Sequence, residues 1–392
     1  MKDFDIVLAG DFRLIGGTSS AIAAEIRAYV SAGLKVGLLP LHAHFFPAGQ
    51  PVHQEISRLI ADHSITVLRA GGDNCTCTLL LLHNPIVLQN APLEAVNLRS
   101  KYRLIIAHHV PQTRTGALNY EPWDIEARVC RAYGGGAIWA PISPVCRASF
   151  RRLAFDLPIL SSNWHNVIHV EDWGTPRSHP RHRRISIGRH SRPDPDKWPS
   201  NREDFLAAYP NSENVDVHFL GGEQLIDLGL GKLPRNWHLY PFGHFSPRTF
   251  LEMIDFYVYF HHPETIEAFG RAPAEAAAAG CVVILPPYMQ ATFGPAALYC
   301  EPRDVKNILL ALHRDPAAFA AQSQAGHAYT KANFGPDSLL RLCTTTMARP
   351  VIDEDLLTHA GTAMARLRRT HSRVQYRIRR RWNDFRLVAN TA

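Results

Sequence analysis

The stretch VYFHHPETIEAFGRAPAEAAAAGCVVIL, residues 258–285, decides the fold of this chain. The apolar run Phe256–Phe260 predicts a β-strand, and Cys281–Leu285 predicts the next strand. The alanine-rich segment between them predicts a short helix. A strand, a crossover helix and a second strand form a parallel βαβ unit, so the stretch predicts an α/β fold.

The predicted helix carries its own start and stop signals. Pro273 suits the first turn, where its missing N–H group costs no hydrogen bond, and Gly280 suits the helix end. The expected capping position holds Ala272 instead of Ser, Thr, Asp or Asn. Free N–H groups and the positive end of the helix dipole then lie at the end of a strand, and this arrangement predicts a phosphate site.

The same stretch contains two glutamates eight positions apart, in the segment EAFGRAPAE. This segment resembles the E-x7-E signature of retaining GT-B glycosyltransferases, in particular glycosyltransferase family 4. The resemblance implies that Glu267 lies against the donor sugar and that Glu275 binds the ribose hydroxyls. It also implies that the backbone of Phe269, Gly270 and Arg271 receives the diphosphate.

Strands and helices alternate along the rest of the chain, which predicts parallel sheets covered on both faces. The resemblance implies the GT-B form of this α/β class: two Rossmann-like, doubly wound domains facing across a cleft, with C-terminal helices crossing back to the first domain. The other predicted strands are Phe4–Ala9, Lys35–Pro40, Thr76–Leu82, Leu104–Ala107, Ala137–Pro141, Arg184–Gly188, Asp216–Gly221 and Trp237–Tyr240.

A chain of 392 residues is long for one core and suits two domains. Residues 172–183 are rich in Pro, Gly and basic side chains, which predicts the interdomain linker. We expect an acceptor-side domain over 1–175, a nucleotide-sugar-binding domain over 184–345, and a basic helical segment over 346–392.

Charge and cysteine usage indicate the compartment and the partners. The net charge is +7, and eight arginines without an acid fall between Arg366 and Arg381. Charge alone leaves anionic lipid and nucleic acid open as partners, and we expect an anionic membrane surface and no nucleic acid. The seven cysteines form no CxxC pair, no apolar run is long enough to span a bilayer, and the N-terminus lacks a signal-peptide pattern. We therefore expect a cytoplasmic protein, peripheral at the inner face of the membrane.

A second phosphate feature lies in ISIGRHSRPDPDKWP, residues 185–199. The resemblance implies that Arg189 and Lys197 supply two cations to the donor diphosphate, although their spacing is longer than usual for the family. Asp194 and Asp196 look like the metal-binding DxD motif of GT-A enzymes, but the proline between them favours a turn. We expect no metal and no cofactor besides a nucleotide-sugar donor, such as a UDP- or GDP-hexose.

The first half of the chain offers glycines and histidines at strand ends, where open α/β sheets bind ligands. The resemblance implies that the loop holding Gly16 and Gly17 approaches the donor closely. It also implies that His83, in LLLLHNP, faces the reacting sugar. The pair His108-His109, in LIIAHHVP, lies at the end of the next strand, and we expect His109 to contact the donor. An ordinary strand-to-helix turn and structural histidines are the alternative interpretations.

The resemblance implies transfer of a hexose from a nucleoside diphosphate to an acceptor hydroxyl with retention, in cell-surface polysaccharide or glycolipid synthesis. The acceptor is then a glycan, a lipid-linked glycan or a protein. The residues expected to act in catalysis are His83, Arg189, Lys197 and Glu267. Two alternatives share the fold: a non-catalytic GT-B module that binds glycans or membranes, and a sugar-nucleotide epimerase.

Overall fold

The computed structural model describes residues 2–14, 16–47, 49–69, 72, 74–93, 97–226 and 232–389, with the side chains of 224, 226 and 381–389 excepted. Residue contacts divide the chain into two compact units. Unit 1 comprises Met1–Asn166, Ile266–Phe269 and Leu339–Ala392, and unit 2 comprises Val167–Thr265 and Gly270–Ser338.

Unit 1 is built on a parallel sheet, which has six strands within the described residues, in the order β3-β2-β1-β4-β5-β6. The strands are β1 (Lys2–Gly10), β2 (Val36–Pro40), β3 (Thr66–Val67), β4 (Cys75–His83), β5 (Leu98–Ala107) and β6 (Ile138–Pro141). The helices between them are α1 (Gly17–Ser31), α2 (Gln54–Asp62), α3 (Pro85–Asn90) and α4 (Pro122–Tyr133), and α5 (Pro144–Leu153) follows β6.

The centre of this sheet is buried on both faces, as expected for parallel strands covered by helices. Strand β4 runs Leu79–Leu82 without any exposed surface, between β1 and β5. Because β2 lies on one side of β1 and β4 on the other, the chain reverses its direction of travel across the sheet at β1. Ligands of open α/β sheets bind at such a switch point, which here lies beyond the carboxyl ends of β1 and β4.

Unit 2 contains a second parallel sheet, for which the described residues give the order β12-β11-β10-β7-β8-β9. Its strands are β7 (Ile185–His190), β8 (Val215–Leu220), β9 (Trp237–Tyr240), β10 (Phe256–Val258), β11 (Val282–Leu285) and β12 (Ala297–Tyr299). Its helices are α6 (Arg202–Ala208), α7 (Pro247–Glu252), α8 (Arg271–Ala278), α9 (Gln290–Phe293), α10 (Val305–Arg314) and α11 (Pro316–Phe334). The switch point of this sheet lies between β7 and β10.

One face of the second sheet is packed with aromatic side chains. The ring centroids of Tyr209 and Phe219 are 4.8 Å apart, and those of Phe219 and Trp237 are 5.2 Å apart, both edge to face. Trp198 adds a third edge-to-face contact to Phe219 at 5.6 Å. Edge-to-face pairs of this kind contribute about 0.5–1.5 kcal/mol each beyond area burial, so the aromatic cluster fixes the loop that carries Trp198.

The predicted α/β class with two Rossmann-like parallel sheets is confirmed, and every predicted strand is present. Trp237–Tyr240 has the predicted bounds, and the other strands differ at one end or both. Two strands at sheet edges, β3 and β12, were not predicted. They are two and three residues long, which is too short for a periodic pattern to stand out.

The division between the units falls at residues 166 and 167, ahead of the predicted linker over 172–183. That segment packs onto unit 2 through Arg177, which is 4% exposed. Its guanidinium donates to the carbonyl oxygens of Leu251 at 2.8 Å and Ala279 at 3.2 Å. Because a guanidinium satisfied by buried carbonyls is costly to pull out, the segment forms part of unit 2.

The C-terminal part of the chain groups with unit 1 and contains α12 (Pro336–Ala348), α13 (Glu354–Ala360) and α14 (Ala363–Ala389). Within unit 1, Arg373 Nε lies 2.8 Å from Glu121, and Arg369 lies 3.0 Å from Asp156. Arg377 Nη2 also lies 3.5 Å from Glu121, so three arginines of the predicted basic stretch face the protein's own acids. The side chain of Arg381 and residues 390–392 of the predicted C-terminal segment lie outside the described residues. In the part of the chain that the structure describes, no helix is long and apolar enough to cross a bilayer.

Candidate functional site

Helix α8 follows the switch-point strand β10 and begins two residues earlier than the sequence predicts. Its first residue is Arg271 and its capping residue is Gly270, so the expectation that Ala272 occupies the cap is wrong. Gly270 has φ +90°, and a Cβ there would lie 2.7 Å from Met289 Cε and 3.3 Å from Phe293. Both the backbone conformation and the space require glycine. No side chain caps the helix, so its first N–H groups are available to a ligand anion.

The carboxylate of Glu275 is held from two sides in unit 2. Arg271 Nε lies 2.8 Å from Oε1, and His190 Nε2 lies 3.2 Å from Oε2. The Arg271 guanidinium is itself fixed, because it also donates to the Val167 carbonyl at 2.9 Å. A carboxylate offers about four acceptor positions, so these two partners orient Glu275 and leave acceptor capacity for ligand hydroxyls.

Arg189 lies at the end of β7 but points away from Glu275. Because side chains alternate along a strand, Arg189 faces the aromatic cluster while His190 faces α8. The Arg189 side chain has no exposed surface, and its Cζ lies 4.3 Å from the ring centre of Trp198 and 4.4 Å from that of Tyr259. Contact with a diphosphate therefore requires these rings to move, and the role of Arg189 stays a prediction. His190 was not predicted, although the alternation in ISIGRH was the signal for it.

The loop after β7 forms the turn that the sequence predicts at Asp194-Pro195-Asp196. Asp194 accepts from the Asp196 amide at 3.1 Å and caps a short 3-10 helix, Pro195–Lys197. The Asp196 carbonyl in turn accepts from the amide of His262, in the loop after β10, at 3.2 Å. This bond joins the two loops at the switch point and places half-buried Lys197 at that edge of the sheet. Its contact with a diphosphate stays a prediction.

Glu267 and Phe269 lie in the short segment Ile266–Phe269, which groups with unit 1. The Ser143 hydroxyl, at the start of α5, donates to the Ala268 carbonyl within that unit. Glu267 is partly exposed and Phe269 is buried. The predicted roles of Glu267 at the donor sugar and of the Phe269 amide at the diphosphate stay predictions.

The glycine pair of unit 1 follows β1 at the first switch point. Gly16 has φ +108° and is the capping residue of α1, again without a side-chain cap. A Cβ at Gly17 would meet nothing within 4 Å. The conformation therefore requires glycine at position 16, whereas packing inside the unit does not require it at position 17. Room for a ligand is the function that the sequence predicts for this loop.

An ion pair that the sequence analysis missed orders the same loop. Arg13 Nη2 lies 2.7 Å from Asp11 Oδ2, and Arg13 also donates to the Ala43 carbonyl at 3.1 Å. Burial alone raises the pKa of Asp11, but hydrogen bonds from Arg13 and the Ala43 amide outweigh it and hold the pKa below its usual value. The negative charge at the end of β1 is therefore neutralised within the protein.

His83 lies at the end of β4, where it was predicted, but it has no exposed surface. Its Nδ1 lies 3.0 Å from His108 Nε2, and its Nε2 lies 3.7 Å from Glu25 Oε2. Burial lowers the pKa of His83 to about 3 and holds that of His108 well below its usual value, so both rings are neutral at physiological pH. Direct contact of His83 with a sugar requires neighbouring side chains to move, and it stays a prediction.

Glu25 is a second buried group that the sequence analysis missed. It lies on α1, is fully buried, and accepts from the Tyr29 hydroxyl at 3.3 Å. Burial raises its pKa to about 8. Glu25, His83 and His108 therefore form a row of neutral groups behind the strand ends of unit 1. An acid within the apolar run of α1 was the available signal.

His109 lies just beyond the end of β5 and is partly exposed, unlike buried His83 and His108. Its carbonyl accepts from the Tyr120 hydroxyl at 2.9 Å, which fixes the backbone of this turn. Of these three histidines, His109 is thus the one with surface available to a ligand. Its predicted donor contact is a matter for experiment.

Known structures share this architecture. HepE from Anabaena, solved with UDP and glucose, is 13% identical to this chain with a TM-score of 0.57, over 88% of this chain and 99% of HepE. A sucrose-phosphate synthase from Thermosynechococcus elongatus is 14% identical with a TM-score of 0.58, over 89% of this chain and 99% of its own. An alpha-glucosyltransferase, solved with UDP and a 13-mer DNA, is 10% identical with a TM-score of 0.55, over 88% of this chain and 100% of the glucosyltransferase.

These likenesses show that the chain has the GT-B fold of glycosyltransferases. No protein-family description matches the sequence, and no curated protein matches it either. Membership of glycosyltransferase family 4 therefore stays a prediction.

Proposed function

We propose that this protein is a glycosyltransferase that moves a hexose from a nucleoside diphosphate to an acceptor hydroxyl with retention. The observation that carries the proposal is the oriented carboxylate of Glu275 behind the uncapped start of α8, at the switch point of a GT-B unit. A carboxylate suits the vicinal hydroxyls of a ribose, and a helix start suits a diphosphate. UDP is the first ligand to try, because HepE and the alpha-glucosyltransferase were solved with it.

The proposed chemistry needs stabilisation of a departing diphosphate. The N–H groups of Gly270 and Arg271 supply donors that are fixed before the reaction, and Lys197 supplies a positive charge at the same edge of the sheet. Donors held in place in this way stabilise developing negative charge without reorganisation. Arg189 would supply a second cation to the diphosphate after the rings of Trp198 and Tyr259 move away from its guanidinium.

In the proposed reaction, the acceptor hydroxyl attacks from the face of the sugar that the diphosphate leaves. We assign Glu267 and His109 to contacts with the sugar, on the resemblance of the E-x7-E segment and on the exposed surface of His109. His83 is then a positioning residue. Its 3.0 Å hydrogen bond fixes the ring of His108, the residue next to His109 in the chain. The loop of Gly16 and Gly17 leaves room for the donor.

We also propose that the acceptor belongs to cell-surface polysaccharide or glycolipid synthesis and that the protein works at the cytoplasmic face of a membrane. The support is the arginine-rich helix α14, in which arginines beyond the three paired with Asp156 and Glu121 remain exposed. Exposed arginines near a membrane surface favour anionic lipids.

Calorimetric titration with UDP, GDP and their hexose conjugates tests donor binding. We expect Glu275→Gln to weaken UDP binding at least tenfold, because the amide does not accept two hydroxyls while facing Arg271. Glu264→Gln is the matched control, since Glu264 is exposed in the neighbouring loop. Equal UDP affinity in the wild type and Glu275→Gln, with unchanged circular dichroism, would refute the site.

Product analysis separates the reaction classes. A transferase releases UDP and a new glycoside whose anomeric proton coupling matches that of the donor. Inversion of that coupling contradicts retention, and an epimerised nucleotide sugar without UDP release identifies an epimerase. Donor binding without turnover under any acceptor would favour the non-catalytic module.

A further inference from the structure

Helix α14 has an inner face that attaches it to unit 1. Ala365 is 4% exposed, and Arg369 and Arg373 form the ion pairs with Asp156 and Glu121. Arg373 Cζ also lies 4.9 Å from the ring centre of Trp123, and the Tyr376 hydroxyl accepts from Gln89 at 2.7 Å. These contacts recur at intervals of three and four residues, so they belong to one side of the helix.

The opposite side of α14 carries apolar residues that nothing in the described part of the chain covers. Met364, Leu367, Val374 and Ile378 are 62%, 67%, 50% and 64% exposed, and they fall on one stripe of the helix. They are four of the nine large apolar side chains that are exposed among the described residues. Such a concentration on one helix face marks an interaction surface.

The charges beside the stripe are all of one sign. Arg366, Arg368 and Arg379 are exposed, and no Asp or Glu occurs between Ala363 and Asn383. Arginine side chains lay their methylene groups along an apolar surface while the guanidinium stays in a polar layer. The stripe and its flanks thus form the pattern of a helix that lies in the interface of a bilayer.

A pocket of about 440 Å³ opens at the start of α14. Its lining contains no carboxylate and includes Arg151, Arg152, His359, Met364 and Arg368. Among the described residues, neither Arg151 nor Arg368 has an ion-pair partner. Three arginines, Arg151, Arg152 and Arg368, line this one pocket, so positive charge is concentrated here. A phosphate group would neutralise it.

We propose that α14 binds an anionic lipid bilayer, with its apolar stripe in the headgroup layer and a lipid phosphate in the Arg151–Arg368 pocket. The charge pattern selects this partner. A second copy would bring two arginine-rich helices together without an acid between them, and a nucleic acid would leave the apolar stripe in water. The inference deepens the proposed membrane location and rests on it, but it does not depend on the proposed transfer chemistry.

Co-flotation of the full-length protein with vesicles tests the inference. We expect binding to phosphatidylcholine vesicles that contain 30% phosphatidylglycerol, and at least tenfold weaker binding to pure phosphatidylcholine. Arg151→Gln/Arg368→Gln should weaken binding by about tenfold to thirtyfold, from about 1 kcal/mol per basic residue. Arg131→Gln/Arg235→Gln removes the same charge from exposed positions elsewhere and should change it little.

The apolar stripe is tested by Leu367→Gln/Ile378→Gln, for which we expect about tenfold weaker binding or more, from the lost apolar burial. Val351→Gln/Phe242→Gln is its control, because both side chains are exposed elsewhere. Absence of binding to anionic vesicles in 50 mM salt would overturn the inference. Full binding by the Leu367/Ile378 variant would overturn insertion of the stripe, and full binding by the Arg151/Arg368 variant would overturn the pocket.

Two further measurements distinguish other partners and the catalytic proposal. A dimer in sedimentation without lipid that Leu367→Gln/Ile378→Gln abolishes would assign the stripe to a second copy and overturn the inference. Binding to duplex DNA without binding to vesicles would also overturn the inference and would identify nucleic acid as the partner. UDP binding without vesicles should be equal in all variants, so failure on vesicles and failure of the donor site are separate results.

Discussion

Replacing Glu25 by glutamine should change how the stability of unit 1 depends on pH. Glu25 is fully buried beside His83 and Tyr29, and its pKa is raised from an ordinary value of 4.5 to about 8. In the unfolded chain the carboxyl loses its proton near pH 4.5, whereas the folded protein keeps it to about pH 8. The folded state therefore binds more protons in this interval, and its stability falls as the pH rises.

The magnitude follows from the same interval. One proton difference is worth about 1.4 kcal/mol per pH unit. The protonated Glu25 carboxyl makes its full contribution to the free energy of unfolding below pH 4.5, and about 3 kcal/mol of that contribution is lost at pH 7. Glutamine resembles the protonated carboxyl in shape but does not titrate. The stability of Glu25→Gln relative to the wild type should therefore be constant below pH 4.5 and should rise by about 3 kcal/mol between pH 4.5 and 7.

Urea unfolding followed by tryptophan fluorescence at pH 4, 5, 6, 7 and 8 measures this difference. The buried histidines His83 and His108 titrate in both proteins, so their contribution cancels in the comparison to first order. Glu55→Gln, at an exposed position of α2, is the control and should show a flat difference. A flat difference for Glu25→Gln, or one that falls with pH, would refute the neutral state assigned to Glu25.

Two further predictions concern the helix start and the attachment of α14. Gly270→Ala should destabilise unit 2 by about 2–3 kcal/mol in urea unfolding, because φ is +90° and the new Cβ would crowd Met289. Gly17→Ala is the control and should destabilise unit 1 by less than about 0.5 kcal/mol, because its Cβ would meet nothing within 4 Å. Equal losses of stability in the two variants would contradict the geometry. Arg373→Gln removes the ion pair with buried Glu121 and should speed tryptic cleavage in α14 several-fold. Exposed Arg380→Gln is its control, and equal cleavage rates would show that the ion pair does not hold the helix.

Local sequence patterns were sufficient for the fold. Apolar runs predicted every strand except the short edge strands β3 and β12, because the periodicity of a strand is set by its own residues. The glycine at position 280 predicted the end of α8 correctly, whereas the helix start was displaced by two residues. A left-handed glycine can cap a helix, and the sequence did not distinguish Gly270 from Ala272 in that role.

The candidate site was predicted in part. The sequence brought Glu275 and the helix start together because they lie within one turn or two of each other on a single helix. It did not predict that His190, 85 residues away in the chain, holds the Glu275 carboxylate. It also did not predict that the alternation of β7 turns Arg189 into the aromatic cluster, and the contact of Arg189 with a diphosphate stays a prediction.

The sequence by itself determined the two α/β sheets, the E-x7-E helix and the basic C-terminal segment, because neighbours along the chain specify each of them. Only the tertiary structure decided the order of strands, which places Gly16 and His83 at one switch point and Glu275 at another. It alone buried Glu25 against His83 and divided the arginines of α14 between the protein's own acids and the solvent. The physical reason is that burial and charge pairing depend on groups far apart in the chain, which no local pattern records.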